Sequence, residues 1–288
     1  MLELITEPFG FAFMRYALIA GLLTVVASSL IGTWVVMRGM AFMGDALAHG
    51  VLPGIAIAYL LGGSLLLGGA VSAAVMIGGV SLASARSRLG EDTSIGLLFV
   101  GMLAAGVAII SKGGAYAGDL TTILFGDPIG VTRGDLVTVA TTTAITAGLT
   151  LLLYRPFLVL AFSRAKAEVL GLHPGLTHVA MLVLVALVVI SSFRTVGTLL
   201  VFAFIVAPPA TAALVSRRVP MMMAVAMLVG ALGVVVGLLL SYHLRTATAP
   251  TIAGLTVLAF FVVLTIRELT DRVARMRGPR PSVSSASG

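Results

Sequence analysis

The sequence predicts an all-α, polytopic membrane protein of about nine transmembrane helices, on three observations. Only 10% of the 288 residues are charged, whereas soluble domains carry about a quarter. Mean hydropathy is +1.14, and apolar runs close to the roughly 20 residues of a membrane span recur along the chain. The 33 glycines are typical of helices that pack closely in lipid. The absence of cysteine excludes disulfides and thiolate metal ligands.

The nine predicted spans are apolar runs separated by polar breaks. The second and third runs are separated only by GGS, and the sixth and seventh only by FRTVG. An architecture of eight spans, with one run re-entrant, therefore stays open. The nine runs are residues 11–36, 45–62, 64–83, 94–111, 134–154, 176–193, 195–215, 220–241 and 250–267.

The basic residues predict the side of the membrane that each loop faces. With the N-terminus outside, thirteen of the 18 Lys and Arg residues lie inside, and an excess of positive charge marks the cytoplasmic side. We therefore expect an external N-terminus and a cytoplasmic C-terminus. The net charge of +7 lies in short loops and the tail, which argues against nucleic acid as a partner. The residues expected outside are Arg15, Lys112, Arg133, Arg194 and Arg245.

The chain is predicted to be one transmembrane domain, residues 1–268, followed by a tail. Residues 269–288 are basic and then rich in Ser and Pro, which predicts a disordered cytoplasmic segment. Two loops are long, the external 112–133 and the cytoplasmic 155–175. In the second loop, SRAKAEVLGL predicts a short helix with Ser163 as its N-cap and Gly171 at its end.

The stretch FMGDALAHGVLPG, residues 42–54, places Asp45 and His49 inside an apolar run. Residues four apart share one helix face, and a carboxylate oxygen with an imidazole nitrogen suits Zn²⁺ or Mn²⁺. Pro53 removes a backbone hydrogen bond to the His49 carbonyl and predicts a kink. The alternative is that Asp45 caps a helix N-terminus and His49 bonds a neighbouring helix.

Further residues bear on how such a pair could work. In a two-fold dimer, two copies of Asp45 and His49 would supply the four ligands of a tetrahedral site. Pro208 and Pro209 predict a break in the seventh run, either a hinge or gate or a kink that neighbouring helices satisfy. His243 is expected to be exposed near an external helix end, although a role in admitting a cation stays open.

The sequence carries no motif that would make the chain an enzyme. It contains no Gly-x-x-x-x-Gly-Lys-Ser/Thr loop for ATP phosphates and no His-Glu-x-x-His zinc-protease helix. The chain is therefore not expected to be an enzyme on its own.

Five motifs, in order over about residues 10 to 265, resemble the permease subunits of the manganese/zinc-type ABC transporter family. The resemblance implies the permease of an ATP-driven importer of Zn²⁺ or Mn²⁺, working by alternating access in the cytoplasmic membrane of a bacterium. It implies no permanently bound cofactor. The motifs are GDALAHGVLPGIAIAYLLG, EDTSIGLLFVG, DLTTILFGD, VGTLLVFAFIVAPPATAAL and GLLLSYHL.

The resemblance also implies partners and roles. The partners are a second permease copy, two cytosolic ATP-binding subunits and an extracytoplasmic metal-binding protein, in addition to membrane lipid. The Gly-Asp-Ala-Leu-Ser-His stretch of the family falls on Gly44 to His49, with Ala48 in place of Ser. Its ATPase-docking segment falls on 163–175. The residues expected to couple to the ATPase are Ser163, Arg164, Lys166, Glu168, Leu170 and Gly171.

Two other classes of protein are weighed against this interpretation. An ion-coupled secondary carrier working alone would not need the basic, helix-forming cytoplasmic segment. A structural membrane subunit without a substrate path would leave Asp45 and His49 unexplained.

Overall fold

The computed structural model of the chain describes residues 7–86, 91–111, 126 and 130–277. Within these ranges nine helical spans are long and apolar enough to cross a membrane, which confirms the predicted fold class. A 3₁₀ turn at Pro8–Gly10 precedes the helices. The second span, Ala41–Leu60, consists of two helices. The α-helices of the described residues are α1 Ala12–Met37, α2 Ala41–Gly50, α3 Leu52–Leu60, α4 Leu65–Arg86, α5 Glu91–Ser111, α6 Arg133–Leu152, α7 Tyr154–Phe162, α8 Arg164–Val169, α9 Pro174–Val196, α10 Thr198–Val215, α11 Val219–Leu244 and α12 Thr248–Arg277.

Helix α1 lies at the centre of the bundle and α12 at its edge. α1 packs against α6, α9, α10 and α11. Of the most apolar stretch of each helix, 72% is buried in α1 and 22% in α12. Trp34 of α1 is fully buried, with Tyr154 edge-on to its ring at 5.3 Å and Phe157 at 5.7 Å. A helix that is apolar all round is suited to such a central position.

Small residues set the distance between α1 and α11. A Cβ on Gly21 would lie 2.9 Å from a methyl carbon of Val234, and one on Gly230 would lie 2.6 Å from a methyl carbon of Val25. Each glycine therefore receives a valine from the other helix. Membrane helices associate mainly through such close packing, because lipid tails are as apolar as their side chains.

The second span is divided in two, as Pro53 predicts. α2 ends at Gly50 and α3 begins at Leu52, with Pro53 in its first turn. The span begins at Ala41, four residues before the predicted start. This earlier start places Asp45 well inside α2.

Helix α10 runs unbroken through Pro208 and Pro209, so the predicted break is wrong. Pro209 lacks the N–H that would bond to the Ile205 carbonyl. That carbonyl lies against Gly32 of α1, where a Cβ would overlap it. The tight contact with α1 supports α10 beside the prolines.

The segment 155–175, which is predicted to be cytoplasmic, is more helical than expected. α7 covers its first part, because Pro156 falls in the first turn, where proline is tolerated, and Phe157 and Leu160 are buried. The short helix α8 is confirmed, with the Lys166 N–H donating to Ser163 Oγ at 3.2 Å. Gly171 follows it with φ +69°, a left-handed conformation that favours glycine.

The last helix extends beyond the predicted end of the transmembrane domain. α12 continues to Arg277, so the prediction of disorder is wrong for 269–277. Thr270 Oγ1 donates to the Ile266 carbonyl at 2.8 Å, and the surrounding charged residues are compatible with helix. Residues 278–288 and most of the predicted external loop, 112–125 and 127–129, lie outside the described residues.

Candidate metal site

Asp45 and His49 lie on one face of α2. Asp45 is the fifth residue of the helix, and the N-cap is Met40, which makes no side-chain capping bond to the residues described. Asp45 is therefore not a helix cap, and that alternative is wrong. The His49 Nε2 atom is 3.5 Å from Asp45 Oδ1. The two side chains can approach one ligand together.

The imidazole of His49 has an unused nitrogen. Its Nδ1 atom is buried and has no hydrogen-bond partner among the described residues. The ring packs edge-on against Phe99 of α5, with centroids 5.6 Å apart, and Phe99 contacts Phe42 in the same way. A buried polar atom without a partner is costly. His49, whose other ring nitrogen lies beside the Asp45 carboxylate, is therefore a candidate ligand for a cation.

The pair faces a cavity of about 420 Å³ between α2, α10 and α12. The side chains of Asp45 and His49 are only 25% and 21% exposed. All the other lining residues are apolar, so the groups in this wall that could bind a cation are Asp45 and His49. The apolar lining consists of Leu199, Phe202, Ala203, Val206, Ala207, Ala253 and Val257.

The described residues of one chain bring only two candidate metal ligands together, Asp45 and His49. Across the described residues, no group of three or more His, Cys, Asp or Glu side chains could hold a metal ion. Zn²⁺ in proteins usually has four ligands, and Mn²⁺ also accepts carboxylate and imidazole. Asp45 and His49 can therefore supply half of a tetrahedral coordination shell, with the rest from water or another chain.

The other histidines examined in the sequence lie elsewhere. His243 is exposed, and its Nδ1 atom is 2.8 Å from the Leu239 carbonyl of its own helix. His178, for which the sequence predicts no role, accepts a hydrogen bond from Arg38 at 2.6 Å. This bond ties the end of α1 to the start of α9. Neither histidine lines the cavity of Asp45 and His49.

Several residues of the site could not be identified from the sequence. Phe99 supports the His49 ring, and Phe202 forms part of the cavity wall. Both lie in apolar runs, where the sequence does not distinguish a phenylalanine at the site from one that faces lipid. Only the proximity of α5 and α10 to α2 distinguishes them from residues that face lipid.

A polytopic helical protein with an acid–imidazole pair in the wall of a cavity between its spans is suited to be a membrane permease. Comparison with known families agrees. The model described as "ABC 3 transport family" matches residues 10–267. The chain belongs to this family.

Relatives and a solved structure are similar over nearly the whole chain. The chelated iron transport system membrane protein YfeD of Yersinia pestis is 34% identical over 94% of this chain and 92% of its own. The manganese transport system membrane protein MntC of Listeria monocytogenes is 33% identical over 88% of this chain and 90% of its own. The structure of PsaBC from Streptococcus pneumoniae in complex with Fab has a TM-score of 0.85 at 27% identity. That match covers 96% of this chain and 99% of the other.

Proposed function

We propose that this chain is the permease subunit of an ATP-driven importer of divalent transition metal ions, and that Asp45 and His49 are its transport ligands. The observation that carries the proposal is the His49 imidazole in the wall of an otherwise apolar cavity. Its Nε2 atom lies 3.5 Å from an Asp45 carboxylate oxygen, and its Nδ1 atom is buried without a partner among the described residues. A bare cation is very costly in such surroundings unless ligands replace its water. The pair supplies ligands for this passage.

The names of the relatives guide the choice of cargo. YfeD is named for chelated iron and MntC for manganese. We therefore favour Mn²⁺ or Fe²⁺, and Zn²⁺ remains the third ion that a carboxylate and an imidazole suit. Family membership lends no support to a stand-alone secondary carrier.

A second copy of the chain would complete the site. Two-fold symmetry places the same surface of each copy against the other, so facing α2 helices would bring two Asp45 and two His49 side chains together. The apolar walls of the cavity would be covered in the same assembly. Few ligands also allow release, which transport requires as much as binding.

The cytoplasmic segment 155–175 is proposed to contact an ATP-binding subunit, so that the two copies of the permease contact two ATP-binding subunits. α8 is capped by Ser163 and is paired along its side, with Arg164 Nε 3.8 Å from Glu168 Oε1. The apolar side chains of Phe162 and Val169 are 76% and 87% exposed. Exposed apolar residues on an ordered helix outside the spans suit a protein partner.

We place this segment and the C-terminus in the cytoplasm of a bacterium, because thirteen of the 18 basic residues fall on that side. An extracytoplasmic metal-binding protein would deliver the ion to the opposite face. Alternating access then needs spans that bend. The break at Pro53 and the proline pair Pro208 and Pro209 are the proposed hinge and gate positions.

Uptake of radiolabelled Mn²⁺, Fe²⁺ and Zn²⁺ by metal-starved cells carrying the complete transporter tests the proposal. We expect Asp45→Asn and His49→Ala each to lower uptake of the cargo ion by at least about tenfold, the usual loss when a metal site is disturbed. His243→Ala is the matched control, because this histidine is exposed and bonded to its own helix. Uptake near wild type in both site variants, at equal membrane expression, would refute the assignment.

A further inference from the structure

Ser72 of α4 inserts its hydroxyl into the backbone of the helix that carries the metal pair. The hydroxyl donates to the Gly50 carbonyl at 2.9 Å and accepts from the Gly54 N–H at 3.2 Å. In a regular helix, these two backbone groups would bond to each other. One side-chain oxygen therefore joins the two sides of the break between α2 and α3.

The surrounding backbone shows how local this insertion is. The Val51 N–H donates to the Leu47 carbonyl at 3.2 Å, and the Ile55 N–H donates to the Val51 carbonyl at 3.1 Å. The regular pattern of helical hydrogen bonds thus ends with the Val51 N–H and begins again with the Val51 carbonyl. Between these bonds, Pro53 has no N–H to offer the His49 carbonyl. The last turn of α2 is tied to α3 across this gap by Ser72.

The contact between α3 and α4 is shaped to admit this hydroxyl. A Cβ on Gly54 would overlap the Gly68 carbonyl, and a Cβ on Gly68 would overlap the Gly54 carbonyl. Ser72 lies one turn after Gly68 and is only 4% exposed. A Cβ on Gly50 would meet Met76, one turn further on, at 3.1 Å. The two backbones are close enough for a short serine side chain to reach between the helices.

We propose that Ser72 is a positioning residue for metal transport, acting through the Asp45–His49 pair. The inference rests on the proposed function. Gly50, whose carbonyl Ser72 holds, directly follows His49, so the hydroxyl fixes the end of the turn that carries the imidazole. Without the hydroxyl, the Gly50 carbonyl and the Gly54 N–H lose the partner that joins them across the break. The last turn of α2 is then free to shift, which would rotate His49 relative to Asp45. Mutation of a side chain that orients a metal ligand commonly lowers metal affinity by about 10- to 100-fold.

Mn²⁺ binding to the full-length protein with its ATPase subunits in lipid nanodiscs is the test. The affinity is measured from the electron-spin-resonance signal of the Mn²⁺ that remains free. A nitrogen bound directly to Mn²⁺ modulates the electron spin echo, and this modulation shows whether the imidazole is a ligand. We expect Ser72→Ala to weaken Mn²⁺ binding by about tenfold and to weaken the nitrogen modulation. Ser72→Thr, which keeps the hydroxyl, should restore both. Ser29→Ala should change neither, because the buried Ser29 hydroxyl has no partner among the described residues.

A double variant separates a positioning role from general destabilisation. If Ser72 acts through His49, adding Ser72→Ala to His49→Ala should weaken Mn²⁺ binding no further. Wild-type affinity and modulation in Ser72→Ala would overturn the inference and leave the metal site intact. If wild type and His49→Ala give the same Mn²⁺ affinity and the same nitrogen modulation, the proposed function and this inference are overturned together. If Ser72→Ala does not reach the membrane, Ser72→Cys replaces it. Its thiol bonds only weakly, so unchanged affinity there would also overturn the inference.

Discussion

Replacing Gly32 with alanine tests a close contact between the central helix α1 and α10, which lines the cavity beside Asp45 and His49. A Cβ on Gly32 would lie 2.9 Å from the carbonyl carbon of Ile205 and 3.1 Å from its Cα, in addition to overlapping its oxygen. Carbon atoms in proteins approach best at about 3.5–4.0 Å. The obstacles are backbone atoms, so no side-chain rotation relieves them. α1 and α10 must separate by roughly 0.5–1 Å.

The expected loss of stability follows from this overlap. Overpacking that shifts backbone usually lowers the free energy of unfolding by about 1–3 kcal/mol. Because the obstacles are backbone atoms, the cost lies in the upper part of this range, about 2–3 kcal/mol. Alanine regains up to about 1 kcal/mol over glycine within a helix, so a net loss of about 1–2 kcal/mol remains. For a domain of this size, such a loss lowers Tm by roughly 2–8 °C. Uptake should fall too, because Ile205 also lies beside Gly44, next to Asp45, where a Cβ would be 3.3 Å from Ile205 Cγ2.

The single tryptophan provides the assay. Trp34 lies two residues after Gly32 and is fully buried, so its fluorescence should report thermal separation of α1 from its neighbours in detergent. Gly148→Ala on α6 is the matched control, because a Cβ there meets no described atom within 4 Å. Its Tm should equal or exceed that of wild type. An unchanged or higher Tm in Gly32→Ala would refute the reasoning about this crossing.

Two further variants test the helix caps. Thr132 and Asp135 form a capping box at the start of α6, with reciprocal bonds of 3.2 and 3.0 Å; Thr132→Ala should lower Tm by roughly 2–4 °C, and Thr132→Ser should restore it. If Thr132→Ala melts like wild type in the Trp34 fluorescence assay, the box does not stabilise α6. Ser163→Ala removes the cap of α8 and should slow transport-coupled ATP hydrolysis by about fivefold, since a cap contributes about 1 kcal/mol. Wild-type hydrolysis rates in that variant would argue against a coupling role for α8.

The sequence was sufficient to predict the spans because lipid leaves the backbone few alternatives. A run of about 20 apolar residues must be helical to satisfy its hydrogen bonds in the membrane. The break after Gly50 was also predictable, since Pro53 removes the backbone hydrogen bond to the His49 carbonyl. Pro208 and Pro209 show the limit of the same rule. Whether a proline breaks a helix depends on the neighbour that packs there, here Gly32 of α1.

The candidate site was only half visible in the sequence. Asp45 and His49 stand out because ionisable residues are rare in membrane spans, and their spacing places them on one face. Ser72 does not stand out, because its importance depends on α4 lying against the break in the second span. The phenylalanines around the pair are likewise ordinary within apolar runs. Periodicity identifies the faces of a helix, but it does not identify what packs against them.

The apolar lining of the cavity has a consequence for ion selection. Leu199, Phe202 and Val206 offer no hydrogen bonds to the water shell of an ion that enters beside Asp45 and His49. The ion must therefore exchange water for carboxylate and imidazole as it enters. Mg²⁺ gives up its water reluctantly and prefers oxygen ligands, whereas Mn²⁺ also accepts imidazole. Under the proposed function, the bare cavity walls reject magnesium by the slowness and cost of dehydration, before the strength of the final complex becomes relevant.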